Sequence, residues 1–254
     1  MQCAKCKKIL FSIDFEQNLR VCPHCGHHHR LPARKRIEIT FDEGSFVEQD
    51  ASLQSIDTLG FPEYGEKYVQ AQQKTGEKDS MLSGHALLEG NKVQVAVSDF
   101  NFMGGSMGPV AGEKVTRTLE RAAEEKTAAI IFCASGGARM QEGLASLMQM
   151  AKTTAAVERC REASVPYLAV FTDPTMAGVL ASYASVADVI LAEPKAMVGF
   201  AGLRVSKQAG VSKVPDDFQM AEFALNHGMI DRIVHRKDMR ATLASLVEML
   251  GGRR

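Results

Sequence analysis

No stretch of this 254-residue chain is apolar for long enough to cross a bilayer. The run from Ala128 to Ala134 is far short of the ~20 residues a spanning helix needs. The N-terminus lacks a basic start leading into an apolar segment, so nothing points to export, and a cytoplasmic protein with reduced thiols is expected. Internal repeats and low-complexity tracts are missing. So is a Ser/His/Asp set, a paired-carboxylate motif or a metal triad in the part of the chain that reads as α/β. His85, His227 and His235 are scattered, and each reads as structural. Net charge is also absent, with 30 basic against 30 acidic residues.

The charge that is present is unevenly spread. Residues 1–36 hold eight Lys or Arg against Asp14 and Glu16, which marks either a polyanion-facing surface or a solvated module poor in acids. Cys3, Cys6, Cys22 and Cys25 lie in the same stretch with C-x2-C-x15-C-x2-C spacing. Each close pair forms a tight knuckle that aims two sulfurs at one point, and two knuckles complete a tetrahedral thiolate shell suited to Zn²⁺. All four ligands come from protein, so the zinc expected here is structural and supplies most of the module's folding energy. Gly26 lets backbone amides approach the sulfurs. His24, His27, His28 and His29 read as surface or supporting residues, and Cys133 and Cys160 as packing residues.

With 45% hydrophobic residues, the rest of the chain can bury a real core. Residues 31 to about 80 are polar and helix-prone, with turns at Asp42-Glu43-Gly44, Gly60 and Gly76, and read as a connecting layer. A hairpin follows, Gly90-Asn91 separating 84–89 from 92–100. From there helices are expected at 113–126, 144–162, 178–186, 217–227 and 239–250, with Gly228 just past the fourth. Strands are expected at 128–134, 167–171, 188–192 and 229–234. In the long helix, Leu144, Leu147, Met148, Ala151 and Ala155 recur at helical spacing, and the stripe Met140, Met148, Met150 reads as core or interface filler. Strand–helix alternation of this kind predicts a largely parallel sheet covered by helices.

Three glycine-rich segments fall where a strand hands over to a helix: Met103–Gly108, Ser135–Arg139 and Thr175–Val179. Small residues there bare backbone N–H groups at a helix start, and two such amides aimed at one point form an oxyanion hole. None matches a phosphate-loop or dinucleotide spacing. Backbone-amide chemistry without a protein nucleophile therefore fits best. Asp173, before Pro174, reads as a loop-stabilising acid.

Taken together, the knuckles, Met103–Gly108, the run Ala134-Ser135-Gly136-Gly137-Ala138-Arg139-Met140-Gln141-Glu142-Gly143, Thr172–Thr175, Ala192–Ala196 and Gly199–Gly202 resemble the β subunits of bacterial acetyl-CoA carboxylase carboxyltransferase over nearly the entire chain. The resemblance implies a crotonase-like α/β spiral of ββα units behind a zinc ribbon, with boundaries expected at 1–30, 31–80 and 81–254. It implies transfer of a carboxyl group from carboxybiotin on a carrier protein to acetyl-CoA, giving malonyl-CoA for fatty acid synthesis. It also implies a separate α subunit in an α2β2 assembly. Backbone amides of Ala177 and Gly178, assisted by Gly136 and Gly137, would hold the thioester oxygen. Gly104, Gly105 and, more weakly, Arg204 and Lys207 would meet the substrate. Arg139 would pair with a CoA phosphate or brace its loop. The basic ribbon would sit as a lid or subunit contact and greet CoA phosphates or an RNA.

Several positions depart from the family pattern: Ala177 stands where a glycine is usual and Leu203 where a proline is usual, Ser206-Lys207-Gln208 also differs, and the usual lead before the first cysteine is nearly absent. Alanine keeps its N–H, so the donor survives unless the backbone there needs a positive φ. Three alternatives stay open: a divergent copy in a dedicated pathway, a zinc-ribbon RNA-binding regulator, and a self-contained crotonase-type enzyme with Glu142 as its acid/base.

Overall fold

The computed structural model describes residues 1–201, 215 and 217–251. Its frame is a single mixed sheet. Strands β1 (Val47–Gln49), β2 (Met81–Leu88), β3 (Asn91–Ser98), β4 (Ala128–Ser135), β5 (Tyr167–Met176) and β6 (Val189–Ala192) lie side by side in that order. A further strand, β8 (Arg232–Ile233), follows β6, and β7 (Val198–Gly199) pairs with the far end of β5. The first two pairings are antiparallel and all the others parallel.

The hairpin turns on Glu89 and Gly90, both left-handed at φ 50° and 81°, a two-residue turn matched to the strands' twist. The carboxylate of Asp42 accepts both turn amides at 2.9 Å. The Gly90 amide first, then that of Glu89 and the Arg240 charge, hold this carboxyl below its ordinary value.

β4 explains why the sheet needs helices on both faces, since all eight of its residues are buried. Ala129, Ile131 and Cys133 face one core and Ala128, Ile130 and Phe132 the other, as period-two geometry requires. The first core is closed by α4 (Pro109–Glu125), through Val115, Leu119 and Ala122, and by α5 (Gly143–Glu162), through Ala156 and Cys160. The second is closed by α2 (Ala33–Thr40) and the last helix, α8 (Arg236–Gly251). Between them come the short helix α1 (Ser12–Gln17), α3 (Tyr64–Thr75), α6 (Ala177–Leu180) and α7 (Ala221–Asn226).

Three expectations shift. The helix foreseen over 178–186 is α6 plus a separate 3-10 turn over Tyr183–Val186, broken where Ser182 leaves helical geometry and its hydroxyl bonds Gly178 O. The strand foreseen over 229–234 pairs only at Arg232–Ile233. In α5 the buried side is Ser146, Gln149, Thr153, Ala156 and Cys160, whereas Leu144, Leu147 and Met148 are 70%, 53% and 54% exposed. Close helix packing is the reason: a Cβ on Gly112 of α4 would fall 2.6 Å from Gln149 Cβ, so α5 meets α4 through its smaller and polar side chains.

Candidate active site

The front module is two knuckles built alike. Lys7 N bonds Cys3 O and Gly26 N bonds Cys22 O, with Lys7 and Gly26 both left-handed at φ 61° and 67°. The four Sγ atoms lie within 4.8 Å of one another, and the pairs Cys3–Cys25 and Cys6–Cys22 are each 3.8 Å apart. A tetrahedral zinc with Zn–S bonds of about 2.3 Å has sulfur edges of ~3.8 Å, the separation of two of these pairs, so the donor set suits that ion. These four thiols are the group placed to hold a structural zinc.

The ribbon is fastened to the body by a buried charge cluster. Glu193, at the end of β6, pairs with Arg36 of α2 at 2.6 Å and with Arg236 of α8 at 2.6 Å. Arg236 also donates to two ribbon carbonyls, Leu19 O at 2.7 Å and His29 O at 2.9 Å. His28, read from sequence as a surface or supporting residue, is buried at this joint, 3.5 Å from Glu193 and packed edge-on against His235. Burial alone would raise the Glu193 carboxyl, but Arg36, Arg236 and His28 outweigh it and hold it well below the usual carboxylate range. Beside this joint, Arg30 donates to Asp173 O at 3.0 Å, and the Asp173 carboxylate accepts Met197 N.

The three glycine segments follow β3, β4 and β5, three adjacent parallel strands, so they emerge at one end of the sheet. Gly136 N donates to Gly104 O at 2.9 Å, and Met107 and Ala138 pair as a bridge, which joins the first segment to the second. The second touches the third: a Cβ on Gly137 would stand 2.6 Å from Ala177 Cβ. The three loops thus lie together, but the hydrogen bonds within them change which amides are free. Gly136 N is spent on Gly104 O, and Gly137 N on Ser135 Oγ at 3.0 Å, so neither is free to bind an oxyanion. Among the described residues the Ala138 amide makes no hydrogen bond, and its nitrogen lies close to Gly178, where a methyl group would come within 3.4 Å of it. Gly178, in the first turn of α6, has no carbonyl behind it in the helix to accept its own amide. Ala177 has φ 48°, so the backbone there does take the left-handed form that glycine favours, and the methyl group is tolerated at a cost of about 1–2 kcal/mol.

The Arg139 side chain is fully buried and forks onto Asp79 at 2.8 and 2.9 Å, with further bonds to Ser80, Ser106 and Tyr64, the geometry of a loop brace, while the residue also lines the cleft beside Gly104 and Gly136. Glu142 is turned inward as well, accepting from Tyr64 Oη at 2.7 Å and from Ser55 Oγ. That orientation keeps its carboxyl from the cleft and removes the acid/base a self-contained enzyme would use. Leu203, Arg204 and Ser206-Lys207-Gln208 lie outside the described residues.

A cleft of about 550 Å³ opens beside Gly104, Gly136 and Ala138, and its other wall carries Lys67 and Lys74 of α3. Sequence reading passed over these two lysines. Their seven-residue spacing, two helical turns, was the available signal.

The family described as the acetyl-CoA carboxylase zinc finger domain matches residues 1–25, and that described as the carboxyl transferase domain matches 27–250. The acetyl-coenzyme A carboxylase carboxyl transferase subunit beta of Citrifermentans bemidjiense is 50% identical over 252 residues, covering 98% of this chain and 89% of that protein. The chain belongs to the acetyl-CoA carboxylase carboxyl transferase β-subunit family. Solved structures agree with the fold. A transcarboxylase 12S with methylmalonyl-coenzyme A bound aligns over 92% of this chain and 42% of its own, at TM-score 0.73 and 26% identity. The hetero-dimer of a Pseudomonas malonate decarboxylase aligns over 85% of this chain and 86% of its own, at TM-score 0.68 and 25% identity.

Proposed function

We propose that this β-family chain forms half of a carboxyltransferase and, with a separate α subunit, moves the carboxyl group of carboxybiotin to acetyl-CoA to give malonyl-CoA. The observation that carries the reading is the pair of amides, Ala138 and Gly178, brought close together where two glycine loops meet at one end of the sheet. Carboxybiotin, delivered on a carrier protein, supplies the carboxyl group and, once relieved of it, the base for the α-proton of the thioester. The chain's own part is then electrostatic. Both amides point at the thioester oxygen and stabilise its charge as the enolate forms, a contribution of about 3–4 kcal/mol per well-placed donor. No side-chain base is required of this subunit, in keeping with the inward turn of Glu142.

In this reading the CoA polyphosphate lies along α3, where Lys67 and Lys74 present ammonium groups to the cleft; Lys67 is shared with Glu63 at 2.6 Å. The α subunit docks on the outward face of α5. Met140, Leu144, Leu147 and Met148 form an apolar patch there, immediately after the second glycine loop, so docking would close the cleft from one side. An α2β2 assembly and a cytoplasmic location follow from the same reading; no described helix is long and apolar enough to cross a membrane.

The test is biotin-dependent decarboxylation of malonyl-CoA by the purified chain, with and without a bacterial α subunit. Turnover that needs both the α subunit and a biotin acceptor is expected. Turnover by the chain alone would overturn the half-enzyme reading.

A further inference from the structure

Beneath the glycine loops lies a second buried ion cluster, separate from the one that holds the ribbon. Asp79 and Arg139 both have side chains with no exposed area, and Tyr64, Ser80 and Glu142 around them are 1%, 1% and 5% exposed. Burial by itself would raise the Asp79 carboxyl; the Arg139 charge and hydrogen bonds reverse that and hold it below its ordinary value. A buried charge pair is an inefficient way to stabilise a fold, because desolvation consumes most of the attraction. What the pair does here is geometric. Arg139 ends the loop that carries Gly136, Gly137 and Ala138. Its guanidinium donates to Ser106 Oγ at 3.1 Å and Ser106 O at 2.9 Å, in the loop that carries Gly104 and Gly105. The same group grips Asp79 at the head of β2, and its Nη1 stands 3.4 Å from Tyr64 Oη, which anchors α3, the helix that bears Lys67 and Lys74. One planar fork therefore sets the separation of both glycine loops and ties them to the far wall of the cleft.

We infer that Asp79, acting through Arg139, is a positioning residue for carboxyl transfer: it fixes the Ala138 amide against Gly178 and so sets the catalytic rate rather than substrate affinity. The inference rests on the carboxyl-transfer reading above. Lysine cannot replace Arg139, since a point charge cannot span Asp79 and Ser106 together.

The experiment is steady-state acetyl-CoA carboxylation by the assembled complex, with α subunit and biotinylated carrier, for Asp79→Asn, Tyr64→Phe and the apolar pair Asp79→Leu/Arg139→Met. Asp79→Asn is expected to lower kcat by roughly 10–100-fold while KM for acetyl-CoA stays within about 3-fold. The apolar pair removes both charges but leaves Glu142, 3.7 Å from the guanidinium, without its cation, so melting temperature, zinc content and assembly are checked before kcat is read. Its kcat should stay low even where these match the wild type, a split that a merely structural pair would not show. A folded apolar-pair complex with kcat within about 3-fold of the wild type would overturn the inference. Should that pair fail to fold, Tyr64→Phe decides: kcat several-fold down at unchanged melting temperature supports positioning, and unchanged kcat refutes it. A wild-type complex with no carboxyl transfer at all would sink the functional reading instead, so the two failures are distinguishable.

Discussion

The ribbon and the body solve the problem of staying folded by opposite means. The ribbon's core is Cys3, Leu10, Phe15 and Cys22, two of them metal ligands, while Ile9, Phe11 and Ile13 lie outside at 70% or more exposure. So small a cluster cannot offset the chain entropy of the module it holds, and the metal must. The body instead sandwiches a sheet between two large apolar clusters and needs no ion for its stability. Between them, Glu193 and Arg236 make a joint that is neither metal nor hydrophobic core. A metal site, a charge joint and an apolar core fail under different conditions, so they can be separated by experiment.

Zinc removal draws the contrast most sharply. Structural zinc contributes roughly 10–16 kcal/mol in comparable small modules, so a strong chelator, or Cys22→Ser, is expected to unfold residues 1–30 outright. Amide exchange should show protection lost there and kept in β3 to β5; loss of protection in β4 as well would show that the body depends on the ribbon. The joint comes next. Glu193→Ala leaves Arg36 and Arg236 buried without their carboxylate, and a loss of about 3–5 kcal/mol is expected in thermal or denaturant melts.

The same carboxyl gives the joint a pH dependence. Because the folded state holds Glu193 and Asp79 below their ordinary values, the unfolded chain binds more protons in mild acid. The stability they contribute is fully present above the normal carboxylate range and drains away as pH falls through and below about 4. A flatter acid limb in Glu193→Gln than in the wild type is the expected result; an unchanged limb would place the acid sensitivity elsewhere. The smallest effect belongs to the outward face of α5. Leu147→Ser should move stability by no more than about 0.5 kcal/mol, because the side chain is half in water. The same change should weaken co-purification with an α subunit, and its failure to do so would move the docking surface.

How much of this was legible in the sequence follows the same division. The zinc ligands were, because a knuckle is a local object and two residues of spacing determine it. β4 was, because the seven-residue apolar run from Ala128 to Ala134, bounded by a polar turn, can only be a buried strand or a helix, and it is too short for the latter. That each glycine segment follows a strand was legible for the same local reason. What could not be read was anything that depends on which atoms face which. The amides of Gly136 and Gly137 are donors in sequence and occupied in space, and Ala138 is bare only because its neighbours are spent. The grip of Arg139 on Asp79, sixty residues away, is equally non-local. In α5 the apolar spacing was seen correctly, yet the helix turns its polar side to α4, since Gly112 opposite leaves room for Gln149. Periodicity shows that a helix has a distinct side, not which neighbour that side will meet.

The carbonyls that receive Arg236 also bear on the order in which the molecule is made. Leu19 and His29 precede that arginine by 217 and 207 residues. At ordinary translation speeds of about 5–20 residues per second, a ribbon that has left the ribosome waits on the order of 10–40 seconds for its anchor to be synthesised. During that interval it has its metal, and contacts to Glu193 and Asp173 once those are made, but not the Arg236 bonds. Full docking therefore waits on α8, and a ribosome stalled anywhere before it would leave the zinc module loaded but without that anchor.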